Sequence, residues 1–427
     1  MPTLRPLGTA LPLLVAVLLA ACADDTPAPV DSTQSAAVGD VACVAGTGGT
    51  GLTARLRCPV NGRFTAELTT LTSARGTFVY TSTWGRRTGA TCGATNCGNV
   101  VYVWSVGGAS PGLVDSLVVA DVSTTTTTGD VQVSDDGTLL VVATEPTGSI
   151  ATYSLADPAH PVALSRYSTA DMTNGVHTAQ VSRVNGTQYA FCSIDPRGGT
   201  RAKLVVVDLS DPRAPRQVFA RTMGNPYVHD VFVRDGYLFT ALWNDGVTIW
   251  DVGARGRGTP AAPDSLGTVR TVDGQAHNVW WMKDPQTGSA RWLFVGEEGP
   301  GTIGASSEGD VHVVDVADVT KPREVAFYHV AGAGTHNFSV DEAKGVLYAA
   351  FYNAGVRALD VRGDLATCTA AQRSADGRCD LGAMGRELAR GLADGSTAYV
   401  WGVEYANGAL YASDMLGGLW RLDAVAR

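Results

Sequence analysis

Short runs in which apolar and polar residues alternate, separated by glycine-rich turns, recur along this chain with a period of about 45 residues. The clearest copy reads His229-Asp230-Val231-Phe232-Val233, then Gly236-Tyr237-Leu238-Phe239, then Gly246-Val247-Thr248-Ile249-Trp250-Asp251-Val252. It returns as His336-Asn337-Phe338, Gly345-Val346-Leu347-Tyr348 and Gly355-Val356-Arg357-Ala358-Leu359-Asp360-Val361. Looser copies start at His177 and His277, and weaker ones near Asp130 and Trp401, where no His stands. With an opening unit around Phe78 to Leu117 the count is seven. Val, Thr, Tyr and Trp alternate at period two and long 3.6-residue patterns are absent, which excludes a helical solenoid. The predicted architecture is all-β: a closed β-propeller of seven four-stranded blades.

A linear array of blades leaves bare edges at its ends. The last unit, Trp401 to Tyr405, Leu410 to Asp414 and Leu419 to Asp423, has three strands, whereas earlier units carry a fourth at Val162 to Tyr167, Arg216 to Arg221 and Arg323 to Tyr328. The segment Thr53 to Cys58 precedes the first full unit and is expected to complete the last blade, so that an N-terminal strand closes the ring.

With 427 residues, 45% of them hydrophobic, 17% charged and 50 glycines, the chain can bury a sizeable core and make many tight turns. A net charge of -9 and the lack of any basic run argue against a nucleic-acid partner. Three regions are expected: 1–21 as a signal, 22–41 as a Pro-, Ser- and Thr-containing tether, and 42–427 as the propeller. A monomer is expected.

Besides Cys22, six cysteines fall into near pairs, Cys43 with Cys58, Cys92 with Cys97 and Cys368 with Cys379, and each pair would staple a local loop in an oxidising compartment. Cys192 lies alone in an apolar strand-like run and reads as an inert core residue.

The pattern His-Asp/Asn-Val/Phe, then Gly-x-Leu-Phe/Tyr, then Gly-Val-x-Ile/Ala-x-Asp-Val, with Leu204-Val205-Val206-Val207-Asp208-Leu209-Ser210-Asp211-Pro212, resembles the LVIVD repeat of extracytoplasmic propellers over roughly residues 129 to 423. At the N-terminus Arg5, the apolar run Ala10 to Ala21 and the sequence Leu19-Ala20-Ala21-Cys22 resemble a bacterial lipoprotein signal. That resemblance implies lipidation at Cys22 and attachment to the cell envelope, with the propeller facing the periplasm or the cell surface. Ala23 in place of Asp points to the outer membrane. The membrane, through this lipid, and an unidentified protein or small molecule are the implied partners.

The candidate chemistry lies in His177, His229, His277 and His336, which recur at one offset in four successive units, 52, 48 and 59 residues apart. Placed at the start of each inner strand, they would converge on one rim of the channel, with Glu297, Glu298 and Glu404 as carboxylate neighbours. Two accounts are open. In the leading one the imidazoles tie loops to neighbouring strands and the protein is a binding or scaffold module without a cofactor or a reaction. In the alternative they hold Cu, Fe or Zn in a redox or oxygen-using enzyme. The loops between second and third strands in the units of His277 (296–309) and His177 (195–201) and in the first unit are irregular and lie on the same face as the histidines; either that face is the working surface or the loops are tolerated surface insertions. Gly108-Ala109-Ser110-Pro111-Gly112 matches Gly-x-Ser-x-Gly but sits in a turn, without the strand-to-helix elbow a nucleophile needs.

Overall fold

The repeats form seven antiparallel sheets around one axis, each sheet a blade. The computed structural model describes residues 42–426 apart from 50, 61, 87–97, 108–109, 121, 124, 304 and 393–397. Inner strands run at Arg63–Ser73, Val131–Val133, Val176–Val184, Asp230–Arg234, Ala276–Trp281, Phe338–Asp341 and Val400–Ala406, and three further strands follow outward in each blade. A three-residue helical turn, Ala370–Gln372, is the only helix among the described residues. The first blade starts at Arg63, ahead of the expected Phe78, because its inner strand is Thr-rich and lacks the recurring His.

Period-two alternation explains how neighbouring blades hold together. In the strand Lys203–Asp208, Val205 and Val207 pack towards Val141, Ile150 and Val181, while Leu204 and Val206 pack the other way, onto Val231, Leu238 and Trp250. Middle strands are therefore apolar on both faces and read as near-continuous hydrophobic runs; Leu139–Thr144 and Val346–Ala350 are buried throughout. Each blade–blade junction has its own apolar cluster, including the one between the last blade and the first, where Leu68, Val79 and Trp104 meet Tyr411 and Leu419. Cys192 lies in the cluster between the second and third blades, fully buried, as its sequence context predicts.

The ring closes through the expected N-terminal strand. Ala54–Cys58 pairs antiparallel with Gly418–Asp423, Arg57 opposite Trp420 and Cys58 opposite Leu419. Val44–Gly48 adds a fifth strand outside it, and the Cys43–Cys58 disulfide ties the two together. Gly418, at φ +90°, admits this strand, since a Cβ there would lie 2.3 Å from the Cys58 carbonyl oxygen. The Cys368–Cys379 disulfide is also present, and Cys379–Asp380 runs parallel to the outer strand of the fifth blade, so an insertion in the sixth blade laces it to its neighbour. Cys22, the tether, and Cys92 with Cys97 lie outside the described residues.

Candidate functional site

Backbone pairing gives every blade the same register at the axis. In the fourth blade Asp230 pairs with Ala241; the residue before the first is His229 and the second residue after the other is Trp243. In the remaining blades the position of His229 is held by Ala66, Gly129, His177, His277, His336 and Trp401, and that of Trp243 by Trp84, Glu145, Asp195, Glu298, Tyr352 and Met415. The pairing register shifts at His177, His277 and Trp401, and such bulges re-aim a side chain out of the alternating pattern. Here they turn the ring towards the axis.

The four histidines converge. With Trp84, Glu298, Tyr352 and Trp401 they line a cavity of about 230 Å³ at one mouth of the channel. The Nε2 atoms of His177 and His229 are 3.1 Å apart, and ring centroids are separated by 3.9 Å between His229 and His277 and by 4.2 Å between His277 and His336. Donor atoms of His229, His277 and Glu298 lie within 4.8 Å of one another, as do those of Glu145, His177 and Asp195. His336 stacks on Trp401 at 5.0 Å, and His229 on Trp243 at 5.3 Å.

His277 is 1% exposed, yet neither ring nitrogen has a hydrogen-bond partner. Its Nε2 lies 3.5 Å from Glu298 Oε1, near enough for attraction but not aligned for a hydrogen bond. That same carboxylate oxygen accepts the Tyr352 hydroxyl. Buried polar atoms without partners are costly, so such a concentration of them at the axis calls for a partner.

The charges divide cleanly. Burial alone would lower the pKa of His177, but the Glu145 carboxylate, 3.0 Å from Nδ1, outweighs it and pushes the imidazole up to about 10. His177 is thus an imidazolium that donates from Nδ1 to Glu145 and from Nε2 to His229. Burial first, and the positive charge of His177 second, hold His229 well below its ordinary value; burial and the surrounding imidazoles do the same to His277. Both are neutral, the form that binds metals. Asp195 rises to about 8 through burial and its hydrogen bond to Glu145, which itself stays ionised against burial because of His177.

Two expected rim carboxylates stand elsewhere. Glu297 is fully buried inside the fifth blade, 3.1 Å from His312 Nε2 and bonded to the Thr271 hydroxyl. Glu404 lies three residues past Trp401, accepts the Thr70 hydroxyl at 2.7 Å and faces the other end of the channel. Glu145, Asp195, Trp84, Tyr352 and Trp401 escape a reading that follows histidine alone; the shared backbone register would find them.

Fold and site together define a seven-bladed repeat propeller with an axial histidine mouth. Residues 226–271, the fourth blade, match the LVIVD repeat. The fold is similar to that of U3-55K at TM-score 0.58 and 10% identity, covering 88% of this chain and 99% of that one. It is also similar to a chain in the structure of a mitotic checkpoint complex (0.53, 14%, 81% and 88%) and to Saccharomyces cerevisiae Sqt1 (0.52, 10%, 86% and 84%). Among curated proteins none matches by sequence.

Proposed function

We propose that this protein is an envelope-anchored binding propeller whose histidine mouth takes one transition-metal ion, Cu, Zn or Fe, with His229, His277 and Glu298 as ligands and His177 completing the set. The observation that carries this reading is the 3.1 Å separation of two Nε2 atoms beside His277, whose buried ring nitrogens make no aligned hydrogen bond. Two imidazole nitrogens about 2.1 Å from a shared ion, subtending about 95°, stand about 3.1 Å apart. The proton that now bridges His177 and His229 is the one a metal would displace, because ligands bind deprotonated.

Anchoring through Cys22 belongs to the same proposal, supported by the lipoprotein-like signal and by disulfides at Cys43–Cys58 and Cys368–Cys379, which suit an oxidising compartment. Elemental analysis of protein purified without an affinity metal is the test. One ion per chain in the wild type, absent from a His229→Ala/His277→Ala double variant, is expected; a metal-free wild type that stays metal-free after incubation with each ion would overturn it.

A further inference from the structure

Below the histidines the channel continues. One residue further along the inner strands, Glu67, Asp130, Thr178, Asp230 and Asn337 line both the histidine cavity and a second cavity of about 710 Å³, which reaches the turns at Asp135, Gly137 and Asp235 on the opposite face. The two cavities therefore share one waist. It carries three carboxylates and, among the described residues that line both cavities, no cation. The arginines of the larger cavity are tied elsewhere, Arg183 to Asp136 and Arg234 to Glu342.

Glu67 is 7% exposed, and its Oε1 has no hydrogen-bond partner. Facing it at 3.2 Å is Nδ1 of His336, 8% exposed and likewise without one. An absent side chain makes room for this carboxylate: a Cβ on Gly402 would lie 2.7 Å from Glu67 Oε2. Asp130 and Asp230 are held more conventionally, Asp130 accepting the amide of Ala179 at 2.7 Å and Asp230 that of Val231. The three carboxylates do not come within 4.8 Å of one another as the histidine cluster does, so they cannot jointly chelate an ion.

We propose that this waist is a passage through which cations reach the histidine site from the opposite face. The inference rests on the metal-binding reading above. A narrow constriction lined by one sign of charge and walled by low-dielectric protein concentrates counter-ions, and rings of acidic side chains select cations in the same way.

Stopped-flow uptake of Cu(II) by the full chain tests this, comparing wild type with an Asp130→Asn/Asp230→Asn variant; the amides keep the shape, but at position 130 a single acceptor oxygen remains for the two backbone amides of Val131 and Ala179, so a thermal melt checks the fold. The variant is expected to take up copper about tenfold more slowly or worse, to reach the same one ion per chain, and to lose most of the decline in rate with salt shown by the wild type. Equal rates with equal salt dependence would overturn the passage, as would a lower final stoichiometry in the variant, which would make the carboxylates ligands. A wild type that takes up no copper removes the metal reading itself and the passage with it.

Discussion

His177 and His229 sit 52 residues apart on different blades and meet Nε2 to Nε2 at 3.1 Å. Only one of the two carries a charge, because Glu145 holds the other nitrogen of His177 at 3.0 Å. In Glu145→Gln protein without metal, burial is opposed only by the weaker attraction of Asp195 and Glu298, and the His177 pKa is expected to fall from about 10 to below about 8. Imidazole NMR at pH 8 distinguishes the forms: charged in the wild type, neutral in the variant. A His177 still charged at pH 8 in the variant would remove Glu145 from its assigned place.

A second buried imidazole makes stability depend on pH. His312 lies 3.1 Å from Glu297 and 2.8 Å from Glu324; burial lowers its pKa, but the two carboxylates prevail and raise it to about 10. The folded state thus keeps a proton that the unfolded chain, with a pKa of about 6.5, releases. This contribution is fully present below pH 6.5 and is lost as pH rises through about 10. Urea midpoints of EDTA-treated wild type should fall between pH 7 and 10, and more steeply than those of His312→Gln, a difference on the order of a few kcal/mol. Identical slopes would contradict it.

Ring closure predicts a cost for loosening the N-terminal strand. The Cys43–Cys58 bond closes a 15-residue loop, so a Cys43→Ser/Cys58→Ser variant should lose about 3 kcal/mol on the chain-entropy account. Thermal unfolding of the variant, compared with the oxidised wild type, measures it. An unchanged midpoint would mean that the strand does not hold the last blade.

Two glycines of similar backbone conformation separate strain from contact. At Gly408, φ +79°, an added methyl group would meet nothing within 4 Å, so Gly408→Ala should cost about 1 kcal/mol in backbone strain alone. Gly418→Ala should cost about 2–4 kcal/mol, because its methyl would also press on the Cys58 carbonyl oxygen. Equal losses in urea unfolding would remove the close approach of the closing strand.

Much of the ring was legible because each blade repeats the same alternation, and because the missing fourth strand of the last unit pointed to Thr53 to Cys58. The recurring histidines also marked the axis. The neighbours Glu145, Asp195 and Tyr352 were hidden for a physical reason: they share a backbone position with Trp84, Trp243, Glu298 and Met415, and the residue type changes from blade to blade while the pairing does not. The register shift between Ala276 and Asn278 likewise defeats a simple count of alternation, and adjacent Glu297 and Glu298 end on opposite sides, one in the blade and one in the cavity. The first inner strand, Arg63–Ser73, was obscured by its threonines.

X-ray absorption on copper- or zinc-loaded protein tests the central claim most directly. A shell of nitrogen and oxygen ligands at about 2.0–2.1 Å with the outer scattering of at least two imidazoles is expected, lost in His229→Ala/His277→Ala. A spectrum without imidazole scattering, or one unchanged in that variant, would contradict it.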